Sequence, residues 1–163
     1  MTKSGDEIQV VVLAIADQWF AFEVSQVERI LRYQEPTPLP HAAEFLEGVV
    51  ALGDDLVPLV DLRKRLSLDS TLGEESRIIV LEIDGQLVGV LVDSVREVHR
   101  LDVATITAPP KMVRGLAARY IAGLFTLGET TVVMLNAGKL FSSKERLQLT
   151  AAGASAREQG QQA

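Results

Sequence analysis

Cysteine is absent from the 163 residues, which removes disulfides, thiolate nucleophiles and thiolate metal ligands together. Histidine is almost absent as well. His41 and His99 are the only imidazoles, with neither a G-x-S-x-G elbow nor an H-E-x-x-H spacing around them, so each reads as a solvated or capping residue. Basic charge is also short: 16 Lys and Arg against 22 Asp and Glu leave a net charge of -6. A field of that sign repels nucleic-acid phosphates and anionic membrane surfaces, so neither is expected as a partner. Long apolar runs are missing too. Val10 to Ala16 is far too short to span a bilayer, so no direct membrane insertion and a cytoplasmic location are expected.

What is present is a globular balance, 47% hydrophobic and 23% charged residues. The expected folded unit is 8–150, with residues 1–7 and 151–163 as flexible tails, the latter because its Ala, Gly, Ser and Gln offer little to bury.

Within that unit the chain is written twice. VVVLAIADQWFAFEVSQVERIL (Val10–Leu31) aligns without gaps on IIVLEIDGQLVGVLVDSVREVH (Ile78–His99), and FLEGVVALGDDLVPLVD (Phe45–Asp61) aligns on YIAGLFTLGETTVVMLN (Tyr120–Asn136). The second alignment pairs Gly48 with Gly123 and Gly53 with Gly128. Its offset differs from the first by seven residues, which a longer middle loop in the second copy absorbs. Two blocks in the same order imply a duplicated unit, about 8–75 and 76–150.

Each copy reads as short, β-branched apolar runs separated by Gly, Asp and Pro, the signature of hairpins. A small sheet hides its edges best by closing on itself. The expected fold class is therefore all-β: two small, pseudo-twofold-related, five-stranded SH3-like β-barrels packed together, with a few short helices including a C-terminal one. Ile15, Phe22, Val24, Ile83, Val90 and Val92 are expected in the core. Helices are expected at His41–Phe45, at Asp61–Leu66 from an acidic N-cap, and at Asn136–Leu149, where Asn136 can cap.

No constellation for catalysis emerges, so no catalytic residue and no cofactor is expected. Gly123 to Thr130 has the outline of a phosphate loop, but Glu129 stands where the lysine is needed. Asp54, Asp55 and Asp61 lack a ligand series at loop spacing and read as turn and cap rather than as a metal site.

Phe45-Leu46-Glu47-Gly48-Val49-Val50, followed by Leu56-Val57-Pro58-Leu59-Val60-Asp61-Leu62-Arg63, resembles the most recognisable stretch of CheW-like chemotaxis coupling domains, with its V-P-x-x-D-L-R pattern. Val88 to Val98 resembles the same family's G-x-x-V-D-x-V-x-x-V pattern. The resemblance covers about Ile8 to Leu149. It implies a non-enzymatic adaptor whose partners are the cytoplasmic tip of a chemoreceptor and the regulatory domain of a CheA-type histidine kinase. It implies a receptor-binding groove at Val27, Arg29, Gly48, Gly53 and Asp54, and a kinase-binding loop at Pro109, Pro110, Lys111 and Met112. From the residues alone, Val27 reads equally as a core valine and Gly48 as a packing glycine, and Met112 as a residue folded onto its own barrel. A sensory or ligand-binding barrel without the array role is the alternative function.

Two departures from the family pattern stand out. Ala51-Leu52-Gly53-Asp54 replaces N-L-R-G, and Arg29 occupies a position that is usually glutamate. Reversed charges there could pair Arg29 with Asp54 or Asp55, or could leave all three solvated. Either way they raise the expectation of a specialised, non-flagellar pathway.

Overall fold

The computed structural model describes residues 6–109 and 118–161. Its strands are β1 (Glu7–Ile15), β2 (Gln18–Glu23), β3 (Val27–Arg32), β4 (Leu46–Leu52), β5 (Asp55–Asp61), β6 (Arg77–Ile83), β7 (Gln86–Val92), β8 (Ser94–Asp102), β9 (Ile121–Leu127) and β10 (Thr130–Leu135). Helix α1 is Leu62–Arg65 and α2 is Ser143–Gln161. The strands form two five-stranded sheets, ordered β8-β1-β2-β10-β9 and β3-β6-β7-β5-β4. All pairings are antiparallel except β2 with β10 and β5 with β7.

This order settles a question the sequence left open: the two copies exchange strands. The hairpin β1–β2 belongs to the first sheet, but the 3-10 turn at Val24–Gln26 redirects the chain so that β3, β4 and β5 join the other sheet. Each sheet therefore contains strands from both halves of the sequence. Val24 sits in that turn rather than in a strand, so it is only partly buried against the core, less than expected. Ile15, Phe22, Ile83, Val90 and Val92 are buried as expected.

Strand periodicity explains the unbroken apolar runs. Val11, Leu13 and Ile15 of β1 face a central cluster shared by both sheets, together with Phe20, Phe22, Ile79, Leu81 and Val90. The intervening Val10 and Val12 face a second cluster with Ala21, Leu101, Phe125, Val132 and Met134, drawn from all five strands of the first sheet. A third cluster, including Val50, Leu59, Ile78 and Leu91, fills the second sheet. A strand buried on both faces has no polar face to show, so alternation disappears.

The two-fold relation reaches down to irregularities. Ala16 and Asp84 occupy equivalent turn positions with φ 53° and 50°, and Gly53 and Gly128 with 59° and 64°. The β3–β6 register skips Glu28 and the β1–β8 register skips Arg96, at equivalent bulges. Glu47 and Ala122 are skipped in the same way on β4 and β9. Bulges bend a strand locally, and these four curl the sheets around their small cores.

The ends of each curled sheet meet through one isolated bridge, Thr37 with Val49 and Thr107 with Leu124, rather than along whole strands. The matched glycines permit this approach. A Cβ on Gly48 would lie 2.4 Å from the Thr37 carbonyl oxygen, and one on Gly123 would lie 2.5 Å from Ile106 Cγ2.

The helices depart from expectation in two places. His41–Phe45 is a pair of turns rather than a helix, with His41 at φ 59° after Pro40. Only a 3-10 turn, Ala137–Lys139, follows Asn136, whose side chain makes no capping bond. Instead α2 starts at a capping box, with Ser142 N donating to Glu145 Oε1 at 2.9 Å and Glu145 N to Ser142 Oγ at 3.1 Å. The helix then runs to Gln161, where a flexible tail was expected, because its alanines are strong helix formers and Ala152 finds burial. The cap at α1 is as expected: Asp61 accepts from Arg63 N at 3.0 Å.

Gly48→Ala should destabilise the fold by about 2–4 kcal/mol, since it adds a backbone clash to a φ of 141° that L-residues avoid. Gly123→Ala should cost less, about 1–2 kcal/mol, because its φ lies outside the left-handed region, although the β-branched Ile106 methyl and the Thr107 carbonyl oxygen at 3.1 Å must give way. Urea unfolding of the two variants checks the order.

Candidate interaction surfaces

The residues expected to form the receptor groove all lie in the second sheet but are not drawn into one cluster. Val27 opens β3 half-buried, packed against the central core, just before the bulged Glu28. Gly48 is buried on β4 just after the bulged Glu47. Gly53 and Asp54 are exposed in the β4–β5 turn. Arg29 is exposed on β3 and forms no ion pair with Asp54 or Asp55 among the described residues. Arg29 pairs across to Val80 of β6, and only the segment after β3, at Gln34 and Thr37, reaches β4, so of the two alternatives for these charges the cross-strand pair is not made. Of the expected kinase loop, Pro109 is half-buried just beyond the Thr107 bridge, while Pro110, Lys111 and Met112 lie outside the described residues.

The family-like motif residues Asp61, Arg63 and Asp93 do come together. The buried Asp61 carboxylate accepts from Arg63 Nε at 3.0 Å and from Nη2 at 2.7 Å. Arg63 Nη1 donates to the Ser70 carbonyl at 2.9 Å, Ser70 Oγ donates to Asp93 Oδ1 at 2.7 Å, and Asp93 Oδ2 accepts from Ala16 N at 2.7 Å. This chain of bonds ties α1 and the loop after it to the β7–β8 corner and the β1–β2 turn, and so clips the two sheets together. The Asp61 hydrogen bond holds the Arg63 pKa above its ordinary value despite partial burial.

A second cluster was not foreseen from the sequence. The Arg65 guanidinium lies 5.3 Å from the Phe45 ring centre and 5.2 Å from that of Phe141, and it grips Glu145 with two bonds of 3.2 and 2.9 Å. Tyr120 shares the site and accepts from Arg119 Nη2 at 2.9 Å. Burial opposes the charges on Arg65 and Glu145, but their mutual bonds prevail: the Arg65 pKa is raised and the Glu145 carboxyl is held below the usual carboxylate range. Burial would raise the Tyr120 hydroxyl, yet the neighbouring Arg119 and Arg65 bring it below its ordinary value. The S-x-x-E spacing of Ser142 and Glu145 is its one local signal in the sequence. This clamp fastens α2 across the sheets, where Leu140, Phe141 and Leu149 complete the central core.

The cluster lines a cleft of about 190 Å³ with Phe45, Val60, Asp61, Lys64, Arg65 and Tyr120. His41 is exposed in its loop, and His99 stacks on Phe125 with ring centres 6.3 Å apart. Among the described residues no group of three or more His, Asp or Glu converges as metal ligands would, and no helix is long and apolar enough to cross a membrane.

Because the folded Glu145 pKa lies below its unfolded value, the stability it contributes is complete above about pH 5 and is lost as pH falls through the folded value. Glu145→Gln keeps a capping-box acceptor but removes the charge. It should cost about 1–2 kcal/mol at pH 7, the range for a hydrogen-bonded charged pair with partial exposure. The gap from the unmodified protein should narrow as pH falls below about 5 and the Glu145 carboxylate takes up its proton, as denaturant titrations across acid pH will show.

Comparison with known proteins matches the same chain length. A profile of the CheW-like domain matches residues 9–145. A chemotaxis protein CheW of Treponema pallidum is 27% identical over 150 residues, 89% of this chain and 88% of that protein. One from Klebsiella aerogenes is 28% identical over 138 residues, 84% of this chain and 83% of its own. The crystal structure of the scaffolding protein TtCheW from Thermoanaerobacter tengcongensis superposes with a TM-score of 0.77 at 27% identity, covering 83% of this chain and 88% of that one. With motif, strand order and profile agreeing over most of its length, the chain belongs to the CheW-like domain family.

Proposed function

We propose that this chain is a non-enzymatic adaptor that couples the cytoplasmic tip of a chemoreceptor to the regulatory domain of a CheA-type histidine kinase. The observation that carries this reading is the match of nearly the whole chain to a family of chemotaxis proteins, one of them titled a scaffolding protein. The interior supports it. Both sheet cores are filled by tightly buried side chains such as Val10, Val12, Leu59 and Ile78, which leaves the surface as the working part and disfavours a ligand-enclosing barrel.

Receptor contact is assigned to Val27 and Arg29 of β3, Gly48 of β4 and the turn residues Gly53 and Asp54, and kinase contact to the loop from Pro109 to Met112. The exposed, unpaired Arg29 bears on partner choice. A long exposed cation on an edge strand changes which partner charge is favoured while adding little to the stability of the fold. This supports service in a specialised, non-flagellar pathway, with a receptor tip charged differently from the usual one.

Purified receptor tip and kinase regulatory domain should each be retained by the immobilised chain at micromolar concentration, and failure of both would overturn the adaptor reading. Met112→Glu should weaken kinase binding by about 1–3 kcal/mol without changing receptor affinity. Arg29→Glu should improve binding to a conventional receptor tip by several-fold, about 1 kcal/mol. Calorimetric titration of each variant separates these effects.

A further inference from the structure

A cleft of about 600 Å³ opens between the β1–β2 turn, the loop after α1 and the β7–β8 corner, and it shares no residue with either assigned surface. Asp17, Glu74 and Glu75 stand around it, and none of them forms an ion pair among the described residues. Asp93 adds a fourth carboxylate, already engaged by the Ser70 hydroxyl and the Ala16 amide. Against these four, Arg96 is the one cation among the lining residues. Acidic residues alone are ordinary in a chain of net charge -6, so the case rests on what lies between them.

The sheet register sets a row across the cleft. Ala14 of β1 pairs with Trp19 of β2 on one side and with Ser94 of β8 on the other, so the three share a face and the small Ala14 leaves a gap between its neighbours. At one side of the gap the Trp19 ring carries the Arg96 guanidinium, 5.5 Å from its centre. Arg96 makes no ion pair among the described residues, so the chain's own cation already marks the indole face as a cation position. At the other side Ser94 is 8% exposed, and its hydroxyl makes no hydrogen bond among the described residues. A hydroxyl on so buried a residue is normally paired. It is not sealed in: Arg146 Nε is the one side-chain polar atom among the described residues that is both closed to solvent and unpaired, so the Ser94 hydroxyl opens to the cleft that Ser94 lines.

We infer that this cleft docks an arginine of a partner polypeptide, its guanidinium displacing Arg96 from the Trp19 face and donating to Ser94 Oγ, while Asp17, Glu74 and Glu75 offset its charge. A planar fork of donors stacks on an indole and bonds in its own plane at the same time, which a lysine ammonium does not. A polyamine offers only ammonium groups, so the same chemistry favours a protein segment.

Trp19 is the single tryptophan of the chain, so its fluorescence reads the cleft directly in the full protein. The probe is acetyl-Ala-Arg-Ala-Arg-Ala-amide at low ionic strength, for which a saturable change with a sub-millimolar dissociation constant is expected, weakening as salt is added. The same peptide with citrulline, which keeps the shape and loses the charge, should bind at least tenfold more weakly, as should putrescine, which has the same two charges without the planar cation. Ser94→Ala removes only an unpaired hydroxyl and should weaken the peptide about tenfold, the value of one hydrogen bond to a charged group. Arg96→Gln should tighten it several-fold by removing the competing cation, a gain that a purely structural role for Arg96 would not produce. No saturable change, equal binding of the citrulline peptide or of putrescine, or an affinity unchanged in either variant would overturn the proposal.

Discussion

Everything in this fold depends on burying its central strands on both faces. β1 and β6 place alternate residues in a small core inside their own sheet and in the larger core between sheets. A sheet that lay flat could not do this, because its outer face would meet water. The bulges at Glu28, Glu47, Arg96 and Ala122 supply the curvature, and Gly48 and Gly123 allow the curled ends to touch. The exchange of strands follows the same constraint. A chain leaving β2 can turn through Val24–Gln26 into the second sheet and carry an apolar strand with it, so that the two halves are joined by hydrogen bonds as well as by contact.

Exchange has an energetic consequence. Neither half of the sequence owns a complete sheet, so either half alone would expose unpaired backbone along at least one strand and lose most of the central core. Cooperativity is then built in by topology, and the polar clip from Asp61 through Arg63 and Ser70 to Asp93 and Ala16 reinforces it where the two sheets meet. Residues that carry the family resemblance turn out to be this clip.

Periodicity, turn glycines and the repeat made the strands and their two-fold relation legible, because these are local signals that survive in a single sequence. The Asp61 cap was legible for the same reason. What escaped was non-local. Whether Arg29 meets Asp54 depends on which part of the chain after Val27 comes to lie beside β4, and no pattern within either strand reports that it is Gln34 to Thr37 rather than Arg29. The Arg65 clamp unites residues from a β4 approach, α1, β9's start and α2, whose meeting is visible only once the sheets are folded. The α2 start is different: Ser142-x-x-Glu145 is a local signal that competes with Asn136, and the capping box prevails. Of the groove and loop residues, the resemblance supplied the choice; composition and spacing alone did not single them out.

Duplication would be expected to give two equal surfaces, yet an adaptor needs two unequal ones. The edge strands β3 and β8 show how equality is broken without disturbing the fold. Glu28 and Arg96 are the equivalent bulged residues, and Arg29 and Glu97 follow them, so the two edges carry the same charges in opposite order. Ile30 and Val98 come next, both exposed, at 38% and 56%. The apolar element is thus kept on both edges while the charges beside it are inverted. Exposed charges contribute little to stability, so evolution can invert them at small thermodynamic cost. Their influence on encounter and on discrimination between partners is much larger. A charge pattern complementary to the Glu28-Arg29 order meets like charges at Arg96-Glu97, so the two edges are electrostatically distinct surfaces. The internal symmetry thus holds in the core, the turns and the bulges, while the charges on the two edges break it.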